Sequence, residues 1–276
     1  MPRSDTFVDV PGGRLRVVVE GEGPPILFCH SALVDLTSWD GVVPPLHAAG
    51  YKTVCYDTRG FGASTTDDVD FSNRDDLVAV LDAVGAGKAA LVGNSRGAMI
   101  ALDSLIQFPD RFVAFVWVGG GITGFDAGGP TPEEQPIWDE GERLESAGDA
   151  DGMADLDVRA WVDGIGQPAT RVPAELREAV RAMDRPLVEP GRVFGKPIPF
   201  DPPANGRLDA IHVPVLAVVG ALDTSDTRAS AERLEQGVPG ARRIVIPDVA
   251  HMIGMEVPEQ LAALIVEFLA PLPRWS

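Results

Sequence analysis

The sequence predicts an α/β fold: a mostly parallel, doubly wound eight-stranded sheet interrupted by a helical insertion. Three observations carry that prediction. Short apolar runs alternate with helix-length amphipathic stretches through residues 1–119, the pattern of a parallel sheet covered on both faces. The alternation breaks at Gly119 and resumes only near Val213. Between one apolar run and the helix after it stands Gly93-Asn94-Ser95-Arg96-Gly97, a turn so tight that it strains the backbone at the serine.

In chain order, Thr6–Val10 and Leu15–Val19 read as a hairpin across Pro11-Gly12-Gly13. Ile26–Cys29 is a buried strand, and Trp39 to Ala49 is expected as a helix closed by Gly50. Lys52–Tyr56 is the next strand, and Phe71 to Val84 has Leu77, Val80, Leu81 and Val84 at helical spacing. Ala89–Val92 follows as a strand, and from Gly97 a helix carries Met99, Ile100, Leu102, Leu105 and Ile106 until Phe108-Pro109 ends it. Phe112–Val118 is the sixth sheet segment. Residues 120–209 are rich in glycine, proline and acid, with helical pieces at Pro132–Ala147, Asp149–Trp161 and Pro173–Met183. They are expected to form a helical cap (lid) inserted into a core domain made of 1–119 and 210–276. Strands Val213–Val219 and Ile244–Ile246 complete the sheet, with helices at Asp226–Gln236 and Val257–Leu269.

Composition narrows the function. Hydrophobic content of 45% and charged content of 23% suit a globular chain. The net charge of −18 argues against a nucleic-acid partner, because a phosphate backbone would be repelled. The acidity is spread along the chain and reads as a solvated surface. No segment reaches the ~18 consecutive apolar residues of a membrane span, and the N-terminal Met-Pro-Arg-Ser-Asp-Thr lacks a signal-peptide core. The expected location is cytoplasmic, with no membrane partner. Cys29 and Cys55 each end an apolar strand, which favours buried reduced thiols over a disulfide. No spacing resembles a metal site, and neither a metal nor an organic cofactor is expected. Oligomeric state is not legible.

The chemistry follows from what leaves each strand at its carboxyl end, where an open parallel sheet binds ligands. Ser95 leaves the fifth strand, but a serine hydroxyl is a poor nucleophile at neutral pH and needs a base. Strand Ile244–Ile246 runs into Asp248 and His251, and Val213–Val219 runs into Asp223 and Asp226. Of the four histidines (His30, His47, His212 and His251), His47 lies in a surface helix and His212 at a strand start, whereas His251 follows the last strand, the place expected of the base. Asp223 follows its strand directly and is the expected partner for the far imidazole nitrogen. Asp226 is better placed to cap a helix, and Asp248 is a more distant third. Oxyanion donors are expected from the backbone N–H of Arg96 and from the loop after Ile26–Cys29, most simply Ala32. The Arg96 side chain is expected to point away and pair with a nearby acid, the alternative being a substrate carboxylate. Pocket-wall candidates are Leu33, Trp39, Ile122, Phe125, Trp138, Trp161 and Met252.

Elbow, acid and histidine in this order resemble the α/β-hydrolase fold family over about 1–119 and 210–276. Within it, Ser31-Ala-Leu-Val-Asp35-Leu-Thr-Ser-Trp39-Asp40 and Tyr56-Asp57-Thr58-Arg59-Gly60-Phe-Gly62-Ala-Ser64 are similar to the 3-oxoadipate enol-lactonase group and its carboxylesterase relatives. The resemblance implies a serine esterase or lactonase with a Ser95–His251–Asp223 triad acting on a small-molecule ester or lactone, with Asp57 and Arg59 tying loops together. The elbow Gly-Asn-Ser-Arg-Gly departs from the Gly-Leu-Ser-x-Gly of enol-lactonases. Gly-Asn-Ser also occurs in carbon–carbon bond hydrolases, but their glycine-rich loop after the third strand is replaced here by Ser31-Ala-Leu-Val-Asp35. Carbon–carbon hydrolysis, cofactor-free perhydrolysis on the same triad, and a non-catalytic small-molecule receptor are the rival functions.

Overall fold

The computed structural model describes residues 4–276. Its elements in order are β1 (Ser4–Val10), β2 (Gly13–Gly21), β3 (Pro25–Cys29), α1 (Val43–Ala48), β4 (Lys52–Tyr56), β5 (Thr65–Thr66), β6 (Asp70–Phe71), α2 (Asn73–Ala83), β7 (Ala89–Asn94), α3 (Arg96–Gln107) and β8 (Phe112–Val118). They continue with α4 (Gln135–Ala147), α5 (Ala150–Asp157), α6 (Ala174–Asp184), β9 (Lys196–Pro197), β10 (Val215–Gly220), α7 (Ser225–Gly237), β11 (Arg242–Ile246), α8 (Ile253–Glu256) and α9 (Pro258–Leu269). The eight expected strands form one sheet in the order β1-β2-β4-β3-β7-β8-β10-β11, and β5 adds a ninth, two-residue strand on β2. β1 and β4 run antiparallel to β2, and every pairing from β4 to β11 is parallel.

Burial explains the sequence pattern. β3, β7 and β10 are buried at every residue because helices cover both faces of the sheet, so they read as unbroken apolar runs. β11 lies at the edge and carries Arg242 and Arg243, charges that discourage pairing with another chain. Successive residues feed opposite cores. Leu27, Cys29 and Leu91 pack with Leu77 and Leu81 of α2 and Leu102 of α3. Ile26, Phe28 and Val92 pack with Leu46 of α1 and Leu261 and Ile265 of α9. Cys29 and Cys55 therefore enter different cores although their strands are neighbours, and they cannot face each other.

Four expected boundaries move. The helix expected from Trp39 is a 3-10 turn at Leu36–Trp39 followed by the shorter α1, whose first turn holds Pro44 and Pro45. Phe71 belongs to β6, paired with β9, and the helix starts two residues later because the Ser72 hydroxyl accepts the Asp75 amide at 3.2 Å. α5 stops at Asp157, where the chain widens into a π-helix at Val158–Gly164. The cap of α7 is Thr224, whose hydroxyl accepts the Thr227 amide, and not Asp226, which lies in the first turn.

Among the described residues, no segment between β8 and β10 joins the main sheet. Val158, Val162 and Val180 from this stretch pack instead on Leu33 and Val34 after β3 and Met252 after β11. The helices thereby sit against loops at the carboxyl edge of the sheet. A second attachment runs from Glu134, before α4, whose carboxylate accepts both the amide and the hydroxyl of Ser225 at 2.6 Å.

Candidate active site

Ser95 stands between β7 and α3 with φ 56° and ψ −122°, one of two non-glycine residues at positive φ among the described residues. This strained conformation is what a tight strand-to-helix reversal requires. The flanking glycines are demanded by close approach. A Cβ on Gly97 would stand 2.2 Å from the Cys29 carbonyl oxygen, and one on Gly93 would stand 2.6 Å from Ala98 Cα. Both obstacles are backbone and cannot swing aside. The serine amide donates to Val118 O at 2.9 Å, anchoring the elbow to the end of β8.

Asp223 and His251 meet at the ends of β10 and β11. His251 Nδ1 lies 2.9 Å from Asp223 Oδ2 and 3.0 Å from Oδ1, which identifies Nδ1 as the protonated nitrogen and turns Nε2 outward from the acid. Both residues are buried, at 5% and 4% exposure. The Thr224 amide donates to Asp223 Oδ1 at 2.8 Å, fixing the carboxylate plane. A Cβ on Gly119 would come within 3.1 Å of Asp223 Oδ2 and 3.5 Å of His251 Nδ1, so the residue after β8 must be small. The elbow and the histidine loop are stitched together by Asn94, whose side-chain amide donates to Val118 O at 3.0 Å and His251 O at 3.4 Å. The Ser95 hydroxyl makes no hydrogen bond among the described residues. Such contacts often tighten only when substrate is bound. Asp226 and Asp248 make no hydrogen bond to His251: the former is exposed in the first turn of α7, and the latter turns its carbonyl to Arg171 at 2.7 Å.

The amides of Ala32 and Arg96 donate to no backbone or side-chain acceptor among the described residues. The loop that presents Ala32 is held by His30, which sequence inspection did not single out. Its Nδ1 donates to Ser31 O at 2.7 Å, and its Nε2 accepts the Thr58 amide at 3.0 Å. Burial pushes this imidazole down to about 4, so it stays neutral in the tautomer those bonds require. The Asp57 carboxylate performs a parallel task, accepting the Leu36 amide at 2.8 Å and the Ala63 amide at 2.9 Å. Arg59 forms a buried two-bond pair with Asp76, at 2.6 and 2.9 Å. Asp57 thus ties two loops together, as expected, whereas Arg59 ties its loop to helix α2.

The Arg96 side chain corrects an expectation. It pairs with no acid among the described residues; it donates to Thr58 Oγ1 at 2.8 Å and Asn73 Oδ1 at 3.3 Å, with its guanidinium over the Phe61 ring. Burial lowers its pKa. With Ala32 and Leu33 it lines a cavity of about 350 Å³ that also takes Phe61, Phe71, Phe194, Leu187, Asp157 and Asp184.

The remaining pocket candidates divide. The Trp161 ring lies 4.7 Å from the His251 ring, and its carbonyl accepts the His251 amide at 3.2 Å. The Trp138 ring packs against that of Trp161 in a tilted arrangement at 5.7 Å. Met252 is buried with Leu33 beneath the inserted helices. Trp39, Ile122 and Phe125 are core residues instead. Trp39 packs on Phe28 at 5.1 Å, and Ile122 and Phe125 join the α2–α3 core. An apolar side chain near a predicted pocket is indistinguishable in sequence from one filling the adjacent core. Phe61 and Phe194 were missed because nothing local marks a loop aromatic as facing a cavity. Arg171, which donates to Val162 O and Asp248 O and pairs with Glu256, was missed for the same reason.

Residues 16–264 match the alpha/beta hydrolase family. A strigolactone esterase from Arabidopsis thaliana is 28% identical over 91% of this chain and 94% of its own length. A rhodomycin D methylesterase from Streptomyces sp. is 29% identical over 87% of this chain and 89% of its own. The enol-lactonase from Burkholderia xenovorans superposes with a TM-score of 0.76 at 20% identity, covering 96% of this chain and all of that one. With a family match that takes in the elbow, the acid and the histidine loop, the chain belongs to the alpha/beta hydrolase family.

Proposed function

We propose that the protein is a serine hydrolase that cleaves a carboxylic ester or lactone through an acyl-enzyme. The observation that carries this reading is the Asp223–His251 contact, buried beside an elbow whose serine is held at positive φ. In this mechanism His251 Nε2 takes the Ser95 proton as Oγ bonds to the substrate carbonyl carbon. The tetrahedral oxyanion is held by the Ala32 and Arg96 amides, which have no other acceptor. As the intermediate collapses, the carbon–oxygen ester bond breaks and His251 returns the proton to the leaving alkoxide, which for a lactone stays attached to the acyl group. A water molecule then gives a proton to His251 as its oxygen bonds to the acyl carbon; collapse of this second intermediate breaks the bond from that carbon to Ser95 Oγ, and His251 returns the proton to Oγ, releasing the acid and restoring Ser95. Asp223 holds the Nδ1–H tautomer and stabilises the imidazolium formed in each half-reaction. Residues 120–209 serve as the cap: they supply Trp161 against His251 and close the cavity beside the oxyanion donors, keeping water from the reacting atoms.

The test is hydrolysis of a short p-nitrophenyl ester series and of simple lactones by the wild type and by Ser95→Ala. Turnover by the wild type and its loss in a folded Ser95→Ala protein is the expected result. Wild-type rates in Ser95→Ala would refute the assignment of the nucleophile.

A further inference from the structure

The loop that carries His251 contains the second strained residue of the molecule. Asp248, two positions beyond β11, has φ 57°, and Ser95 is the only other non-glycine residue at positive φ among the described residues. Such a conformation persists only where its surroundings over-determine it. The core supplies part of that hold: the Leu222 amide donates to Val249 O at 2.9 Å, and the Asn94 side chain donates to His251 O at 3.4 Å. Two further bonds come from the segment between β8 and β10. Arg171, in the loop between the π-helix and α6, donates through Nη1 to Asp248 O at 2.7 Å. The Trp161 carbonyl accepts the His251 amide at 3.2 Å.

Every N–H of the Arg171 guanidinium is used. Nε donates to Asp163 O and Nη2 to Val162 O, both at 2.5 Å, satisfying carbonyls at the end of the π-helix that have no partner within it. Nη1 and Nη2 also meet the two Glu256 oxygens as a bidentate pair, with the side chains only 12% and 9% exposed. Glu256, the last residue of α8, in turn accepts the Ala250 amide at 3.2 Å. One planar fork therefore joins the backbone just before His251 to the helix that presents Trp161. Arg171 is not part of the cavity wall that Ala32 and Arg96 share.

We propose that Arg171, clamped to Glu256, is a positioning residue for His251: it holds the strained Asp248–Ala250 turn, so that the base is correctly placed only while the inserted segment is docked on the strand tips. The inference rests on the hydrolase reading above. Without the clamp the turn relaxes and the imidazole drifts from its place beside Ser95, and a misplacement of about 1 Å costs on the order of 10²-fold in rate.

The experiment measures kcat and KM on the short p-nitrophenyl esters for the wild type, Arg171→Met, Arg171→Lys and Glu256→Gln, well below the unfolding midpoint of each. Arg171→Met should lower kcat and kcat/KM together by on the order of 10²-fold with KM little changed, because only the placement of the base is altered. Arg171→Lys should recover part of that loss, since an ammonium group reaches Glu256 and one carbonyl but cannot reproduce the planar fork. Glu256→Gln keeps the shape and an acceptor for the Ala250 amide. It should show the same signature at smaller magnitude, and it carries the test where Arg171→Met does not fold. Arg185→Met breaks ion pairs to Asp151 and Glu189 that stay within the inserted segment, and should leave kcat unchanged. A purely structural role for Arg171 would lower the midpoint and leave the folded protein with wild-type kcat. The second readout needs no turnover. The downfield proton NMR signal of His251 Nδ1–H, assigned by its loss in His251→Gln, should broaden in Arg171→Met and stay sharp in Arg185→Met. If the wild type turns over no ester, the hydrolase reading fails while this signal still decides the clamp. Wild-type kcat with an unaltered Nδ1 signal in the folded Arg171 and Glu256 variants, or a rise in KM alone, would overturn the proposal.

Discussion

The two walls of the site are built by different means. On the strand-tip wall, Ser95, Asp223 and His251 each follow within five residues of a sheet strand, and backbone contacts fix where they stand: Ser95 N to Val118 O, Ala221 N to Ile246 O, Leu222 N to Val249 O. On the helical wall, Asp157 and Asp184 come from helix ends and Trp161 from the π-helix between them, and Trp161 is held to Asp157 through side chains. The first wall is as rigid as the sheet that carries it. The second is adaptable, and it is where substrate preference can change without disturbing the reacting groups. In the proposed mechanism the reaction type belongs to the strand tips, and selectivity to the helices that cover them.

The sharpest way to break that division is at the acid. Asp223→Asn should lower turnover by on the order of 10⁴-fold, because an amide supports the wrong tautomer of His251. Asp226→Asn, with no contact to the histidine, should stay near wild type in the same ester assay. A larger loss for Asp226→Asn would move the acid to the other residue.

A packing change tests the rigidity of the strand-tip wall. Gly97→Ala forces a methyl group against the Cys29 and His30 carbonyls, at 2.2 and 2.6 Å. It should destabilise the protein by roughly 1–3 kcal/mol, seen as a lower midpoint in urea or heat. Because those carbonyls lead into the Ala32 loop, kcat should fall as well. An unchanged midpoint would mean that the elbow is looser than its contacts imply.

The smallest effect is expected from the helical wall, as a pH dependence. Burial raises the folded-state pKa of both Asp157 and Asp184 above the unfolded value, and the Asp157 carboxyl raises that of Asp184 further. The stability they contribute is therefore complete below the unfolded carboxylate pKa, and it is lost as pH rises through the raised values. Asp184→Asn removes the ionisation of Asp184 at every pH. The melting temperature of Asp184→Asn minus that of the wild type should thus increase by a few degrees from acid to mildly alkaline pH. A constant difference would show that Asp184 titrates in the folded protein as it does in the unfolded chain. His30 works in the opposite direction: its folded pKa is lowered to about 4, so its contribution is present above the ordinary imidazole value and is lost as pH falls toward 4.

What the sequence alone determined is the sheet and which residues leave its strands at the carboxyl edge. Unbroken apolar runs such as Ala89–Val92 and Val215–Val219, alternating with helix-length amphipathic stretches, read as strands covered on both faces, and a parallel sheet delivers the residue after each strand to one edge. Ser95, Asp223 and His251 were legible because each is displaced from a strand by a short, countable offset. Asp223 and Asp226 stand three positions apart; the sequence favours Asp223 because it follows its strand directly, and it is Asp223 that makes the 2.9 Å contact to His251. Tertiary structure decided everything assembled from distant segments: His30 locking the Ala32 loop through Thr58, Arg96 settling on Phe61 instead of an acid, and Asp157 and Asp184 lining one cavity. Aspartates 27 positions apart on two surface-type helices look like ordinary solvated charge. Nothing in local periodicity shows that the ends of α5 and α6 converge over a cavity, because that convergence is fixed by packing of Val158, Val162 and Val180 on the strand-tip loops.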